Sequence, residues 1–170
     1  MAKRKVGVWL VGAWGGVATT VVVGIAALRK GLTDTNGLVS ALPPFAGLDL
    51  IGWDEIVVGG HEIRETTYSA EAQVLLEKSH VFSATALNAI APQLAKFDKN
   101  IRPGTLINVG ATIDSLAGPA AAKTRKLLSG KRGAEKIRQD ILALLAAELA
   151  PGAWPSWLVL EPEGTLEDLL

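Results

Sequence analysis

The chain has 170 residues, 49% of them hydrophobic, with 17 Lys plus Arg against 17 Asp plus Glu and so no formal net charge. That is enough length for one domain with a real core, and the balance excludes both a disordered chain and an electrostatic footprint for nucleic acid. No cysteine is present, which excludes disulfides, thiolate metal sites and a cysteine nucleophile; His61 and His80 lie far apart and read as ordinary histidines, so no metal site is expected.

The first element is the hardest to read. From Val6 to Leu28 there is no charge for 23 residues, with MAKRK in front and RK behind. Length alone fits a membrane span, for which about 20 apolar residues suffice, or a secretory signal. The interior argues against both. Gly12, Gly15 and Gly16 cluster between a β-branched and aromatic stretch, Val6 to Val11, and an Ala/Thr/Val stretch that closes in ALRKG. A strand, a glycine turn and a helix in one apolar run describe a buried β-turn-α unit, with cations in the last helical turn and Gly31 just past its end. Strand one is predicted near residues 5–11 and helix one near 16–30.

Further on, Leu38 to Ser40 is predicted as a short buried strand stopped by Pro43-Pro44. A third strand is predicted near Glu55 to Val58, with Gly59-Gly60 marking a bend or a close backbone approach. SAEAQVLLEKS reads as a helix with Ser69 as N-cap and Glu71 in its first turn. ATALNAIAPQLAKFDKN is a second helical stretch, bent or restarted at Pro92. RPGTLINVGATI is a turn and a fourth strand, and SWLVLE a fifth. Between them GAEKIRQDILALLAAEL carries an amphipathic stripe of Ile137, Ile141, Leu144, Leu145 and Leu149. The basic run KTRKLLSGKRG reads as a solvated connection rather than a phosphate site. Strands alternating with helices predict an α/β class, a Rossmann-like parallel sheet with helices on both faces, with residues 1–170 as one such domain.

In open α/β sheets ligands bind at the carboxyl ends of the strands. The first such end carries GAWGGVATT rather than G-x-G-x-x-G, with Trp14 where the second glycine would stand. The physical needs are still met. Gly12 permits a tight turn, Gly15 and Gly16 let backbone N–H groups approach a pyrophosphate, and Ala18 allows close helix packing. Thr19 and Thr20 add hydroxyls, and the helix N-terminus attracts an anion. A glycine turn without ligand remains the alternative. No acid ends the predicted second strand; Glu62, after the third, either holds an adenosine ribose or is a surface glutamate, and spacing alone does not choose. Asn108 and Gly110 are expected on the same sheet edge.

Four stretches in order, GAWGGVATT, GLVSALPPF, VVGGHEIR and IRPGTLINVG, resemble the amino-terminal part of inositol-3-phosphate synthase in its bacterial and archaeal branch, well over residues 5 to about 115. The resemblance implies an NAD-binding domain of an isomerase of inositol and phospholipid biosynthesis. That family turns glucose 6-phosphate into inositol phosphate by oxidation, aldol ring closure and reduction. The resemblance carries the phosphate-loop role to Gly12, Ala13, Gly15, Gly16, Val17, Ala18 and Thr19. It carries the ribose acid to Glu62, and a place beside the cofactor to Asn108 and Gly110. No lysine matches a catalytic position, so no catalytic residue is assigned. The chain looks like a truncated synthase. A glucose 6-phosphate partner is expected only in a full-length context. The resemblance further implies a cytoplasmic homo-oligomer without nucleic-acid or membrane partners. Two alternatives are a non-catalytic nucleotide-binding remnant and a membrane-anchored protein with residues 6–28 as anchor.

Overall fold

The computed structural model describes residues 5–126 and 130–148. The uncharged run divides as its glycines predict. Strand β1 is Val6–Val11, residues 12–15 turn, and helix α1 is Gly16–Arg29. The turn breaks any continuous helix, so the anchor alternative is corrected, and among the described residues no helix is long and apolar enough to cross a membrane. Strand β2 follows at Ile56–Glu62, then helices α2 at Tyr68–Ser79 and α3 at Ala84–Asp98, and strand β3 at Ile101–Pro103. Two short helices, α4 at Ala111–Ser115 and α5 at Pro119–Ala122, lead to α6 at Gly130–Glu148.

The three strands form one parallel sheet in the order β1-β2-β3, with Val6 opposite Ile56 and Gly60 opposite Ile101. Alternate side chains point to opposite faces. On one face Val8, Leu10, Ile56 and Val58 pack with Val22, Ile25, Ile90 and Leu94 from α1 and α3, and with Tyr68 and Ala72 from α2. On the other face α6 lies with Leu145 over Gly7 and Leu144 over Gly59, and Lys5 reaches the Glu148 carbonyl at 2.6 Å. Helices therefore cover both faces, as a Rossmann-like sheet requires. Arg29 ties the end of α1 to the start of β2. Its guanidinium donates to the carbonyls of Trp53 (2.8 Å) and Ile56 and sits 5.1 Å from the Phe97 ring centroid.

Several sequence expectations are corrected. Leu38 to Ser40 is not a buried strand. Residues Val39–Ala41 form one 3₁₀ turn closed by the Ala41 N–H on Leu38 O at 3.0 Å, and Val39 is exposed. β2 runs through Gly59-Gly60 to Glu62, so the glycines mark close approach and not a bend. A Cβ on Gly60 would collide with Leu10 O and stand 2.9 Å from Ala13 Cβ. Thr67, not Ser69, caps α2 by accepting from the Ala70 N–H at 3.2 Å. Helix α3 is a single helix with Pro92 inside it. The fourth strand is only Ile101–Pro103, and LINVG after it is loop, with Asn108 at φ 52°. Leu144 and Leu145 are buried as the stripe predicts, while Leu149 and the expected fifth strand at 156–161 lie outside the described residues.

Candidate functional site

The carboxyl ends of β1 and β2 lie side by side, since Val11 is opposite His61. Here the chain leaves β1 through Gly12, whose φ of 73° is one that L side chains rarely adopt. The N–H groups of Gly12 and Ala13 both donate to His61 O, at 2.9 and 3.0 Å, which ties the loop to β2. Gly15 then closes a turn on Gly12 O at 2.8 Å and becomes the N-cap of α1, with no side chain capping it. The first intrahelical bond is Thr19 N–H to Gly15 O at 2.8 Å. The N–H groups of Gly16, Val17 and Ala18 thus have no acceptor within the helix and carry its positive end. Gly12, Gly16 and Val17 are exposed around them, Val17 at 83%. Ala13 and Thr19 are fully buried beneath the loop.

Trp14 pins this loop. Its backbone N–H donates to Glu62 Oε2 at 3.1 Å and its indole Nε1–H to Asp98 Oδ1 at 2.8 Å. Asp98, at the end of α3, also accepts from the Tyr68 N–H at 3.0 Å. Burial pushes its carboxyl up, and these two donors only partly offset that.

Glu62 ends β2 with its side chain 4% exposed. Oε1 accepts from the Ile63 and Arg64 N–H groups at 2.8 and 3.2 Å, and Oε2 from the Trp14 N–H and Arg64 Nη2, both at 3.1 Å. Burial opposes the charge, but the hydrogen bonds and the guanidinium of Arg64 outweigh it and hold the carboxyl below its ordinary range. Arg64 also reaches Glu71 Oε2 at 3.4 Å. A cleft of about 360 Å³ opens here. Its apolar walls are Val11, Ile113, Leu116 and Ile137, and Gly12, Glu62, Arg64 and Thr105 stand among them. Asn108 and Gly110 do not line it; they lie in the loop that leads to α4, where Gly110 is the N-cap.

His61 belongs to a second chain of polar contacts on the α6 side. The Trp9 indole can only donate, so its bond to His61 Nδ1 at 3.2 Å leaves Nδ1 without a proton. Nε2–H then donates to Asp140 Oδ2 at 2.8 Å, and Lys136 Nζ joins Asp140 at 2.6 Å and Pro103 O at 3.0 Å. Burial depresses the imidazole pKa against the pull of Asp140.

The sequence profile of the myo-inositol-1-phosphate synthase family, an NAD-binding domain, matches residues 6–148. The chain belongs to that family. It is also similar to inositol-3-phosphate synthase 1 of Bacteroides thetaiotaomicron. The two are 35% identical over 113 residues, a match covering 58% of this chain and 26% of the relative. The chain thus matches about a quarter of the curated relative's length. NAD is the cofactor of the family's domain, and the loop of this synthase-family chain fits it. The helix end is uncapped and exposed, and a Cβ on Gly15 would stand 3.0 Å from Gly12 O, so the turn is shaped for bare backbone. Sequence reading singled out Trp14 and Glu71 but missed the Trp14–Asp98 bond and the Arg64–Glu71 pair. The Trp14–Asp98 bond spans 84 residues, and no local spacing announces it.

Proposed function

We propose that this chain is the NAD-holding portion of an inositol-3-phosphate synthase. The observation that carries the reading is convergence. An uncapped helix N-terminus and a charged carboxylate meet at the carboxyl ends of two adjacent parallel strands. The N–H groups of Gly16, Val17 and Ala18, with Gly12 and Gly15 keeping side chains away, suit a pyrophosphate. Ala13 and Thr19 support that loop from beneath. Glu62 is the acceptor for the adenosine ribose diol; Asn108 and Gly110, which the resemblance sets beside the cofactor, stand outside this cleft in the loop that leads to α4. NAD supplies a hydride acceptor that returns the hydride when reduced. The groups that grip glucose 6-phosphate and drive ring closure belong to the parts of the longer relatives that this chain does not span. The setting is a cytoplasmic homo-oligomer in inositol and phospholipid biosynthesis.

Calorimetric titration of the purified chain with NAD tests the reading. Measurable binding is expected, weaker than micromolar, and NADP should bind less well because Glu62 faces the 2′ position. Gly15→Val should abolish NAD binding, with circular dichroism to check that the chain folds despite the 3.0 Å approach of the new Cβ to Gly12 O. A branched side chain would stand before the α1 N–H groups, and the native φ of −65° is one that valine can adopt. Unchanged affinity in that variant would remove the loop from the site.

A further inference from the structure

We propose that Glu71 sets the cofactor preference of this site by neutralising Arg64, so that an arginine beside the ribose acid does not act as a receptor for a 2′-phosphate. The inference rests on the reading of Glu62 as the ribose acceptor.

A carboxylate offers about four acceptor positions, and in Glu62 all four are taken. Three of the donors are backbone N–H groups, of Trp14, Ile63 and Arg64, and they move only if their loops move. The fourth, Arg64 Nη2, is on a side chain 31% exposed. A ribose hydroxyl approaching Oε2 thus competes with one movable donor. Arg64 has somewhere to go, because its other arm already reaches Glu71 Oε2 at 3.4 Å in the first turn of α2. An acid there is independently favoured by the helix end.

The charges decide which nucleotide this corner accepts. One guanidinium stands between two carboxylates, Glu62 and Glu71, which leaves a net negative corner. A neutral diol gains an acceptor there. A phosphate monoester meets two like charges against one cation. Glu65, the next acid along, is engaged with the Ala120 N–H at 3.2 Å, and Arg102 is directed at the carbonyls of Lys99 and Ile101. Neither changes the balance. Without the charge of Glu71 the corner becomes neutral, and one arm of the guanidinium is left with N–H donors in the planar arrangement that suits a phosphate.

The test measures NAD and NADP affinities of the full chain by calorimetry at low salt. The proteins are wild type, Glu71→Gln, Glu71→Ala, Arg64→Gln/Glu71→Gln and Glu62→Gln, each checked for folding by circular dichroism. Both Glu71 variants should shift the NADP-to-NAD affinity ratio about tenfold towards NADP, or about 1.4 kcal/mol, with NAD itself changed less than about twofold. The double variant should return the ratio to the wild-type value. A ratio unmoved by Glu71→Gln and Glu71→Ala overturns the inference, and so does a shift that persists without Arg64. Glu62→Gln separates the two readings. If it leaves NAD affinity intact, the ribose assignment itself falls; if it weakens NAD while the Glu71 variants keep the wild-type ratio, only the role of Glu71 falls. Wild-type chain that binds neither nucleotide overturns both.

Discussion

Trp14 stands where a second loop glycine would be expected, and its bonds account for the substitution. The indole points away from the ligand edge to Asp98, and the backbone N–H serves Glu62, so a large residue stabilises a turn that glycine would leave loose. Trp14→Phe keeps the ring and removes one donor from a carboxylate that burial already disfavours. It should lower stability by about 1–2 kcal/mol and weaken NAD binding through the loosened loop; urea unfolding and NAD titration check the two effects. His61 makes a different prediction, about pH. In the native protein its Nδ1 accepts from Trp9 and its pKa is depressed by burial, so it resists protonation. The unfolded chain protonates at about pH 6.5. The unfolded state therefore binds more protons below that pH, and stability falls as pH drops through about 6.5 towards the native pKa. Glutamine can accept from Trp9 and donate to Asp140 without titrating. In His61→Gln the melting temperature should be lower at neutral pH and flatter between about pH 7 and 5.5. Equal slopes in the two proteins would show that the imidazole stays neutral for no energetic reason. Asp140 and Glu62, both held below the ordinary carboxylate range, add a separate loss of stability at more acid pH.

At the scale of elements, the parts of the fold that were legible are those set by local chemistry. The β1-turn-α1 unit follows from Val6–Val11, the glycines after it and a helix whose buried face is Val22, Val23, Ile25 and Ala26. The approximate extents of α2, α3 and α6 follow from helical stretches, with Leu144 and Leu145 marking the buried face of α6. What was not legible depends on partners distant in sequence. Leu38 to Ser40 has the composition of a strand, but among the described residues no strand pairs with it and the backbone turns on itself. The end of β2 was misplaced because Gly59 and Gly60 look like a breaker until the side chain of Leu144 and the carbonyl of Leu10 are seen against them. Gly110 was expected on a strand and instead caps a short helix. The glycine loop is readable as a strand-to-helix turn and Glu62 as a residue at a strand end, but the saturated hydrogen bonding of Glu62 is not. Gly60→Ala tests the close-approach explanation. The added methyl would meet backbone, which cannot step aside as a side chain tip can, so a loss of about 2–3 kcal/mol is expected. The neighbouring Ala13 would shift the glycine loop with it. Thermal unfolding and NAD titration should therefore report parallel losses, whereas an unaffected variant would mean that β1 and β2 have slack between them.

At the scale of the whole molecule, the cations that stand around the cleft are already engaged by other groups. A sugar phosphate needs cations to hold its phosphate and to stabilise an enolate during ring closure. Around the cleft Arg64 is shared by Glu62 and Glu71, Lys136 is held by Asp140 and Pro103 O, and Arg102 is directed at two carbonyls. After Arg138 the sequence contains no Lys or Arg at all, while Asp140, Glu148, Glu161, Glu163, Glu167 and Asp168 add negative charge. The sheet has a matching gap: the edge of β1 away from β2 pairs with no strand among the described residues, and α6 ends beside the start of that strand. The 170-residue polypeptide alone is therefore expected to bind NAD yet to form no inositol phosphate from glucose 6-phosphate. The measurement is product formation by the purified chain with NAD and sugar phosphate, beside a full-length synthase of the family as positive control. Calorimetry with glucose 6-phosphate alone should likewise give no heat of binding. Turnover above the level of a Gly15→Val control would mean that one of the paired cations leaves its partner when substrate arrives, with Arg64 and Lys136 the first to replace by glutamine.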